Sequence, residues 1–505
     1  MVHDNHTCSA GVPSRRFHEG SATDSRRASA RDSRPATRPA TADYTGRMDV
    51  DQVARFVVER RRASLRSLLG DRPALLPAGL PRPRNYAANT FPFRVHSHFL
   101  YFLGWGAPGA MALLDGEKVV LALPRPTVDD AIWSGPSPAW PQIAERLGVE
   151  VIALQDLRAR LVGRTIATLP APDADTRGAQ SALLDRALAA GELAEPDRAL
   201  AEAVITLRLR HDDAAVAELR LAAESTAHAH LAGMRATQPG IRESVVRAAM
   251  EQELGRRGCG TAYGSIVTVH GEVLHNEGHA NLLTPDDLLL ADVGAETPTG
   301  WAGDVTRTWP VGGRYSPEQA AIYDLVLATQ RATIAAVRPG VRYRDLHVLA
   351  TETLARGLAD LGILRGDPVE RARDGTAALF FPHGVGHLLG LDVHDMEDLG
   401  DLAGYGAGRS RSTEPGLCNL RLDRDLAPSM AVTIEPGIYF IPALLDGEEV
   451  RRRAADRVDW SGVARFRRVR GIRIEDDVLV TTAGAEVLTV AIPKERGDIE
   501  AVMSP

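Results

Sequence analysis

Two aspartates, each set beside a strand-like run, constrain the fold of this 505-residue chain more than any other feature. They lie in segment 288–310, LLLADVGAETPTGWAGDVTRTWP, where three leucines precede Asp292 and a β-branched run follows Asp304. Pro298 and Gly300 between them favour a turn, so the segment predicts two adjacent strands. Antiparallel pairing would bring both carboxylates to one pocket. Buried, unpaired carboxylates need a cation; the simpler alternative is two solvated aspartates at strand ends.

Three further segments contain candidate ligands in similar apolar settings. They are FFPHGVGHLLGLDVHD at 380–395, with His383, His387 and His394; VTIEPGIY at 432–439, with Glu435; and GIRIEDDVLV at 471–480, with Glu475. An oxygen-rich set with one imidazole suits manganese, cobalt or zinc. Carboxylates that bridge two ions are typical of two-metal hydrolases, so the sequence predicts a site of this kind.

Composition and charge exclude several other classes of protein. The net charge of -7 gives no basic surface for nucleic acid, and no apolar run is long enough to span a bilayer. Three cysteines lack metal-site spacing and are an odd number, which argues against a disulfide framework and favours a reducing, cytoplasmic location. Residues 1–47 are rich in Ser, Arg, Thr and Ala and are expected to be disordered. Translation that begins at Met48 is an alternative for this segment.

The part of the chain after residue 48 alternates between helical and strand-like patterns. Helices are predicted near 48–70, 128–132 and 140–147, and strands at 99–103, 110–114, 118–123 and 149–154. This alternation predicts an α/β domain. Farther on, amphipathic helices are predicted in two pairs, one within 213–255 and one across 316–337 and 343–361. Each pair is interrupted by Pro-Gly and lies beside strand-like runs, which indicates an internal duplication.

The order and wording of these segments resemble the pita-bread metallopeptidases, a family that includes aminopeptidase P, prolidase and, more distantly, methionine aminopeptidase and creatinase. The resemblance extends from about residue 83 to the C-terminus and includes NTFPFRVHSHFLYFLGW and PRPTVDDAIWSGP. It implies an α/β N-terminal domain plus an α+β C-terminal pita-bread (creatinase/aminopeptidase-like) catalytic domain. The expected bounds are 1–47 for the tail, 48–205 for the aminopeptidase P-like domain with its linker, and 206–505 for the catalytic domain.

By the same resemblance, two divalent ions, with manganese preferred and zinc or cobalt as alternatives, activate a water molecule. The implied ligands are Asp292, Asp304, His387, Glu435 and Glu475. Glu435 also transfers a proton, and His275 and His394 stabilise the reacting carbonyl. The residues implied to contact substrate are Tyr263, His383, Arg421 and Arg473, although Arg473 fits a supporting salt bridge equally well.

The resemblance favours an Xaa-Pro aminopeptidase acting on proline-containing peptides, but it leaves two alternatives open. The loop phrase TEPGLCNLR, which ends at Arg421, is similar to that of prolidases, where the arginine binds the carboxylate of a dipeptide. A strict Xaa-Pro dipeptidase is therefore the closest alternative, and a creatinase-like non-peptidase is the other. A homo-oligomer, dimer or tetramer, is also implied; Trp133 would then either reach a neighbouring subunit or pack locally.

Overall fold

The computed structural model describes residues 55–191 and 193–504, and its first part is an α/β domain. The helices are Arg55–Leu69, Ser97–Leu103, Val128–Ser134, Trp140–Leu147, Leu154–Leu161, Ala174–Leu184 and Asp197–Arg208. The strands are Ala74–Pro77, Pro83–Tyr86, Asn89–Thr90, Met111–Asp115, Lys118–Leu123, Glu150–Ala153 and Ala167–Thr168. The predicted tail, 1–47, lies outside the described residues.

Five strands of this domain form one mixed sheet, which includes the strands predicted at 110–114, 118–123 and 149–154. Their spatial order is 150–153, 118–123, 111–115, 74–77 and 167–168. The inner pairs are antiparallel and the two outer pairs are parallel. Lys118–Leu123 alternates little because nearly all of it is buried between packed helices.

The predicted strand at 99–103 is wrong, because these residues belong to the helix Ser97–Leu103. All seven residues of the helix are buried, so the segment has no polar face that would reveal a helical period. A short, continuously apolar run is compatible with either structure, and length alone does not decide between them. The helix ends at Gly104, whose φ of 65° is the left-handed conformation common at helix ends.

The second part of the chain combines long helices with small sheets. Its α-helices are Asp213–Ala236, Glu243–Arg256, Pro317–Ala336, Tyr343–Asp360, Pro368–Arg373, Asp401–Gly404, Pro442–Leu445, Glu448–Arg453, Trp460–Phe466 and Arg496–Met503; 3-10 turns span Ala377–Leu379, Glu397–Leu399 and Arg467–Val469. Its strands are Gly260–Thr261, Ile266–Thr268, Leu288–Asp292, Ala295–Glu296, Thr306–Pro310, Ala431–Ile434, Gly437–Tyr439, Gly471–Arg473, Asp476–Val480 and Ala485–Val487.

The two predicted helix pairs are present, and a three-stranded antiparallel sheet accompanies each of them. One sheet has the order 306–310, 288–292, 266–268, and the other has the order 431–434, 476–480, 485–487. The two halves are joined directly, because the Glu475 amide donates to the Thr306 carbonyl at 3.0 Å. This arrangement brings the strand ends that carry the candidate ligands of both halves together.

Buried ion pairs connect the two parts of the chain. Arg208, at the end of helix Asp197–Arg208, is almost fully buried and donates to Asp395 at 2.6 Å and to Asp392 at 3.1 Å. Arg61 from the first helix donates to Asp212 at 2.9 Å. The predicted domain boundary at 205/206 falls within helix Asp197–Arg208 and stays a prediction. Within the described part of the chain, none of the helices has the length and apolar character needed to span a bilayer.

Candidate metal centre

The five predicted ligands lie at the ends of strands, or beside a strand, from both halves of the second part of the chain. Asp292 is the last residue of Leu288–Asp292 and lies opposite Thr306, two residues beyond Asp304, in an antiparallel pair. The sequence prediction of two adjacent antiparallel strands is therefore confirmed, with Asp292 at the end of the first strand and Asp304 two residues before the second. Glu435 directly follows Ala431–Ile434, and Glu475 lies between Gly471–Arg473 and Asp476–Val480. The carbonyl oxygen of His387 accepts a hydrogen bond from the Thr433 amide at 3.0 Å, which fixes the His387 segment beside the strand Ala431–Ile434.

Two glycines permit the close backbone contacts that bring these segments together. A Cβ on Gly294 would lie 1.8 Å from the Gly303 carbonyl oxygen, so only glycine fits between the two aspartate-bearing segments. Gly386, with φ near +151°, would place a Cβ 2.3 Å from the Thr433 carbonyl oxygen. A larger residue at position 294 would push Asp292 away from Asp304, and one at position 386 would push His387 away from Glu435.

The ligand atoms of these residues form overlapping groups of the size that metal ions require. Asp292, Asp304 and Glu475 form one group, and His387, Glu435 and Glu475 form another, with the potential ligand atoms of each group within 4.8 Å of one another. His387 Nε2 lies 3.3 Å from Asp304 Oδ2 and 3.5 Å from Glu435 Oε1. Glu475 belongs to both groups, as expected of a carboxylate that bridges two ions.

The charges of the carboxylates indicate that the site is built for cations. Burial, followed by the charge of Asp292, raises the pKa of Asp304 to about 8. Burial also raises the pKa of Glu435, and burial together with the charges of Asp304 and Glu435 raises the pKa of Glu475 well above its usual range. Acids crowded in this way either hold protons or bind positive ions.

The hydrogen bonds of His387 and Tyr263 fit a metal site. His387 Nδ1 lies 3.0 Å from the Leu388 carbonyl oxygen and donates to it, which leaves the Nε2 lone pair facing the carboxylates of Asp304 and Glu435. Lone pairs that face one another need a cation or proton between them. The Tyr263 hydroxyl lies 2.5 Å from Asp292 Oδ1 and 2.6 Å from Asp304 Oδ1, yet its one hydrogen satisfies only one of them. The donor set therefore fits two divalent ions.

Arg473 lies behind the ligands as a buried supporting residue. It donates to Asp292 Oδ2 at 2.6 Å and to Thr306 Oγ1 at 2.8 Å. Thr306 in turn donates to Glu475 Oε2 at 2.7 Å, so one guanidinium orients ligands on two strands. This geometry favours the salt-bridge alternative for Arg473 that the sequence left open.

A chain of hydrogen bonds runs from Arg473 to His383 and defines which ring nitrogen of the histidine carries hydrogen. Arg473 donates to the Tyr439 hydroxyl at 3.1 Å, and Tyr439 donates to His383 Nε2 at 2.8 Å. His383 Nδ1 donates to the Gly384 carbonyl at 2.8 Å. Burial, followed by the charge of Arg473, lowers the pKa of His383 to about 3, so this histidine stays neutral.

The other predicted residues, apart from Tyr263, line one cavity of about 470 Å³. Its lining includes the five ligands together with His275, His383, His394, Arg421 and Arg473. The ring of His394 lies 4.2 Å from that of His387, and its Nδ1 lies 3.2 Å from Glu397. His275 is exposed and lines the cavity, and Tyr263 contacts the site through hydrogen bonds with Asp292 and Asp304. The roles of all these residues stay predictions.

Sequence reasoning missed three residues that contact this site. Tyr439 and Thr306 lie within segments already singled out, but their hydroxyls had no recognisable pattern of their own. Glu397 follows His394 by three residues, a spacing that allows contact within a turn and could have drawn attention to it. Only the folded chain shows that it also pairs with Arg421.

Comparisons with known proteins match both parts of the chain. The sequence profile of metallopeptidase family M24 matches residues 217–482, and that of the aminopeptidase P N-terminal domain matches residues 58–166. The first match covers more than half of the chain. Together they confirm the expected α/β N-terminal domain and pita-bread catalytic fold.

Individual relatives include Xaa-Pro dipeptidases and Xaa-Pro aminopeptidases. The Xaa-Pro dipeptidase of Homo sapiens is 32% identical over 432 residues, which cover 82% of this chain and 84% of that protein. The Xaa-Pro aminopeptidase of Escherichia coli K12 is 30% identical over 474 residues, which cover 90% of this chain and 99% of that protein. The structure of the Pseudomonas aeruginosa aminopeptidase PepP matches with a TM-score of 0.75 at 30% identity, covering 89% of this chain and 98% of that one.

Proposed function

The chain belongs to metallopeptidase family M24, and from this membership we propose that it is a dinuclear Xaa-Pro aminopeptidase, which removes an N-terminal residue that precedes proline. The observation that carries the proposal is the convergence of four buried or half-buried carboxylates and His387 on one cavity with His275, His383 and His394. Relatives of both named types share this family, but the aminopeptidase of E. coli is matched over 99% of its length.

Asp304 and Glu475 would contact both ions. Asp292 would be a further ligand of one ion, and His387 and Glu435 would be further ligands of the other. Manganese is the proposed metal because the donors are mostly hard carboxylate oxygens with a single imidazole. When bound, such ions supply the Lewis acidity that activates water and polarises the scissile carbonyl.

The chain's own residues would then move the proton and steady the reacting carbonyl. Without metal, burial raises the pKa of Glu435 to about 7, although the charges of His387 and Arg473 partly oppose this. A carboxylate placed beside the attacking water can both accept and return a proton. Glu435 would take the proton of the attacking water and deliver it to the proline nitrogen. His394 and His275 would donate hydrogen bonds to the carbonyl oxygen as negative charge develops there.

Specificity for proline would come from the wall of the cavity around His383. This side chain is neutral and held by Tyr439 and Gly384, so it presents a fixed, weakly polar surface rather than a charge. A pyrrolidine ring fits such a surface because the bond before proline has no N–H that needs a hydrogen-bond acceptor.

The second candidate is a strict Xaa-Pro dipeptidase, and Arg421 is the observation that favours it. Arg421 lines the cavity, where a guanidinium suits the free carboxylate of a dipeptide. The human Xaa-Pro dipeptidase is also a relative of this chain. A creatinase-like non-peptidase is the remaining alternative. The cavity does not favour it, because Arg421 and the proposed proline-binding surface around His383 both suit a peptide.

Hydrolysis of Ala-Pro, Ala-Pro-Ala and Ala-Ala-Ala with added manganese separates these candidates. An aminopeptidase cleaves Ala-Pro-Ala and spares Ala-Ala-Ala, a dipeptidase cleaves Ala-Pro alone, and a non-peptidase cleaves none of them. In the Arg421→Ala variant, Ala-Pro hydrolysis should fall by about tenfold, the effect of about 1.5 kcal/mol from a lost charge-assisted contact. Ala-Pro-Ala hydrolysis should change little. Equal losses on both peptides would mean that Arg421 is structural.

A homo-oligomer and a cytoplasmic location are further parts of this proposal. The helix Val128–Ser134 has no buried residue, and Trp133 on it is 85% exposed beside Ile132, which suits a contact with another subunit. Cys259 and Cys418 are free thiols, in keeping with a reducing compartment.

A further inference from the structure

Arg421, the residue suited to a dipeptide carboxylate, already has an acidic partner within the protein. Its Nη1 donates to Glu397 Oε1 at 2.8 Å and to Oε2 at 2.7 Å. Both side chains are 38% exposed and both line the cavity. A carboxylate ligand that approached Arg421 would therefore meet a guanidinium already paired with a negative charge.

Glu397 is held firmly in this position by its surroundings. It begins the 3-10 turn Glu397–Leu399, directly after Met396, which is fully buried with φ near +60°. Its carboxylate also lies 3.2 Å from His394 Nδ1, and the next residue, Asp398, lies 2.9 Å from His98 of the N-terminal domain. Burial works against the charged form, but the bond with His394 and the charges of His394 and Arg421 lower the pKa of Glu397 to about 2. Glu397 is thus ionised at neutral pH and anchored on both sides.

The other cations around the cavity have carboxylate partners as well. Among the described residues of the lining there are three arginines, and Arg473 pairs with Asp292 while Arg411 pairs with Asp401 at 2.7 Å. A free α-carboxylate that entered this part of the cavity would find no guanidinium without a counter-charge. A peptide that continues beyond proline has a neutral amide at the same place and does not need one.

A longer peptide also has room on the other side of Glu397. His394 and Glu397 line a second cavity, of about 950 Å³, whose wall includes Phe91 and Phe93 of the N-terminal domain. The two cavities therefore share this wall. The residues that follow proline in a longer peptide would lie in the second cavity, whereas a dipeptide ends at proline.

We propose that Glu397 sets substrate length by occupying Arg421, so that dipeptides bind weakly and Xaa-Pro peptides that continue beyond proline are preferred. This inference rests on the proposed Xaa-Pro peptidase activity and names the residue that separates its two forms. Glu397 discriminates by competing with the substrate carboxylate for Arg421 and by repelling it. Its contact with His394 affects every substrate alike and does not contribute to this selection.

The test compares Ala-Pro with its amide, Ala-Pro-NH2, in the wild-type enzyme and in Glu397→Gln with manganese. The two probes differ only in the carboxylate, so effects that pass through His394 cancel in the ratio of their kcat/KM values. In Glu397→Gln, Arg421 is released from its partner. The kcat/KM for Ala-Pro divided by that for Ala-Pro-NH2 should then rise about threefold to tenfold, mainly through a lower KM for Ala-Pro. The kcat/KM ratio of Ala-Pro-Ala to the amide should stay within about twofold.

Two matched variants make this test specific. Glu414→Gln removes one exposed negative charge from the same part of the chain, outside the lining of the cavity, and leaves the Arg421–Glu397 and Arg411–Asp401 pairs intact, so the ratio should not rise. In Arg421→Ala/Glu397→Gln the ratio should return to about the wild-type value, because both charges of the pair are gone and no guanidinium is left to bind the carboxylate. An unchanged ratio in Glu397→Gln, an equal rise in Glu414→Gln, or a gain over the wild type that persists in the double variant would each overturn the inference. A wild-type enzyme that cleaves none of the probes would instead overturn the proposed peptidase function on which the inference rests.

Discussion

Glu475 and Asp476 are neighbours in the chain and are both buried, yet they lie in opposite electrostatic environments. Glu475 faces the cavity, where burial and the charges of Asp304 and Glu435 raise its pKa. Asp476 starts the next strand and is turned to the other side, because successive side chains of extended backbone point in opposite directions. There the charges of Arg307 and Lys494 outweigh burial and lower its pKa to about 2.

The surroundings of Asp476 form a complete network within the protein. Arg307 donates to it at 2.7 Å, Lys494 at 2.6 Å, Gln330 at 2.7 Å and Thr489 at 2.8 Å. Glu475 has a hydrogen bond from Thr306, but the charges that act on it most strongly are those of the acids Asp304 and Glu435. Burial of a carboxylate therefore does not identify a functional site. The sign of the charges around it does, because an acid among acids needs an external cation.

The same chemical change at the two neighbours should have different consequences, and the largest effect is expected at Glu475. Glu475→Gln keeps the shape of the side chain but removes the charge that would contact both ions. We expect kcat/KM on an Xaa-Pro peptide to fall by at least about a thousandfold, the effect of roughly 4 kcal/mol of lost transition-state stabilisation. Bound metal, measured by elemental analysis, should fall with it, while the metal-free variant unfolds at the same or a higher temperature. Near-normal turnover with full metal content would contradict the dinuclear assignment.

At Asp476 the main effect should be on stability. Asp476→Asn leaves the Arg307 guanidinium fully buried without its counter-charge, a change that typically costs about 3 kcal/mol or more. The free energy of unfolding in denaturant should fall by that amount, and the metal content of the folded variant should stay near that of the wild type. Loss of metal without loss of stability would show that the two sides of this strand are not independent.

The smallest expected effect is a pH dependence confined to the cavity side. The raised pKa values of Asp304 and Glu435, to about 8 and about 7, mean that the metal-free folded protein holds protons that the unfolded chain has released. This contribution to stability is fully present below the ordinary carboxyl pKa and is lost as the pH rises through the raised values. A cation that displaces these protons should bind about tenfold more tightly per pH unit, for each proton displaced, between about pH 6 and about pH 8.

Titration of manganese into the metal-free enzyme across this range measures the slope. Asp476→Asn should leave the slope of manganese affinity against pH unchanged, because the pKa of the Asp476 carboxyl lies far below this pH range. Glu475→Gln should reduce the slope. An affinity that does not depend on pH would mean that the acids of the cavity are already ionised without metal.

Several parts of the fold and the site follow from local sequence. The apolar runs beside Asp292 and Asp304, with a turn around Pro298 and Gly300 between them, predict two adjacent antiparallel strands, and the structure confirms this pairing, with Asp304 two residues before the second strand. The helix pairs were predicted from their period and their Pro-Gly breaks. The strand predicted at 99–103 failed because a fully buried run carries no polar face to mark its period.

The sequence by itself determined which residues are suited to a metal centre, because this depends on residue type. It also determined most of the strands and helices near them, because these follow from the periodicity of apolar residues over a few turns. The tertiary structure decided how the charges are paired. Glu475 and Asp476 look equivalent along the chain, and only packing gives one of them acids and the other Arg307 and Lys494 as neighbours. The pairings of Arg473 with Asp292 and of Glu397 with Arg421 span 181 and 24 residues, and they arise from long-range contacts that no local pattern specifies.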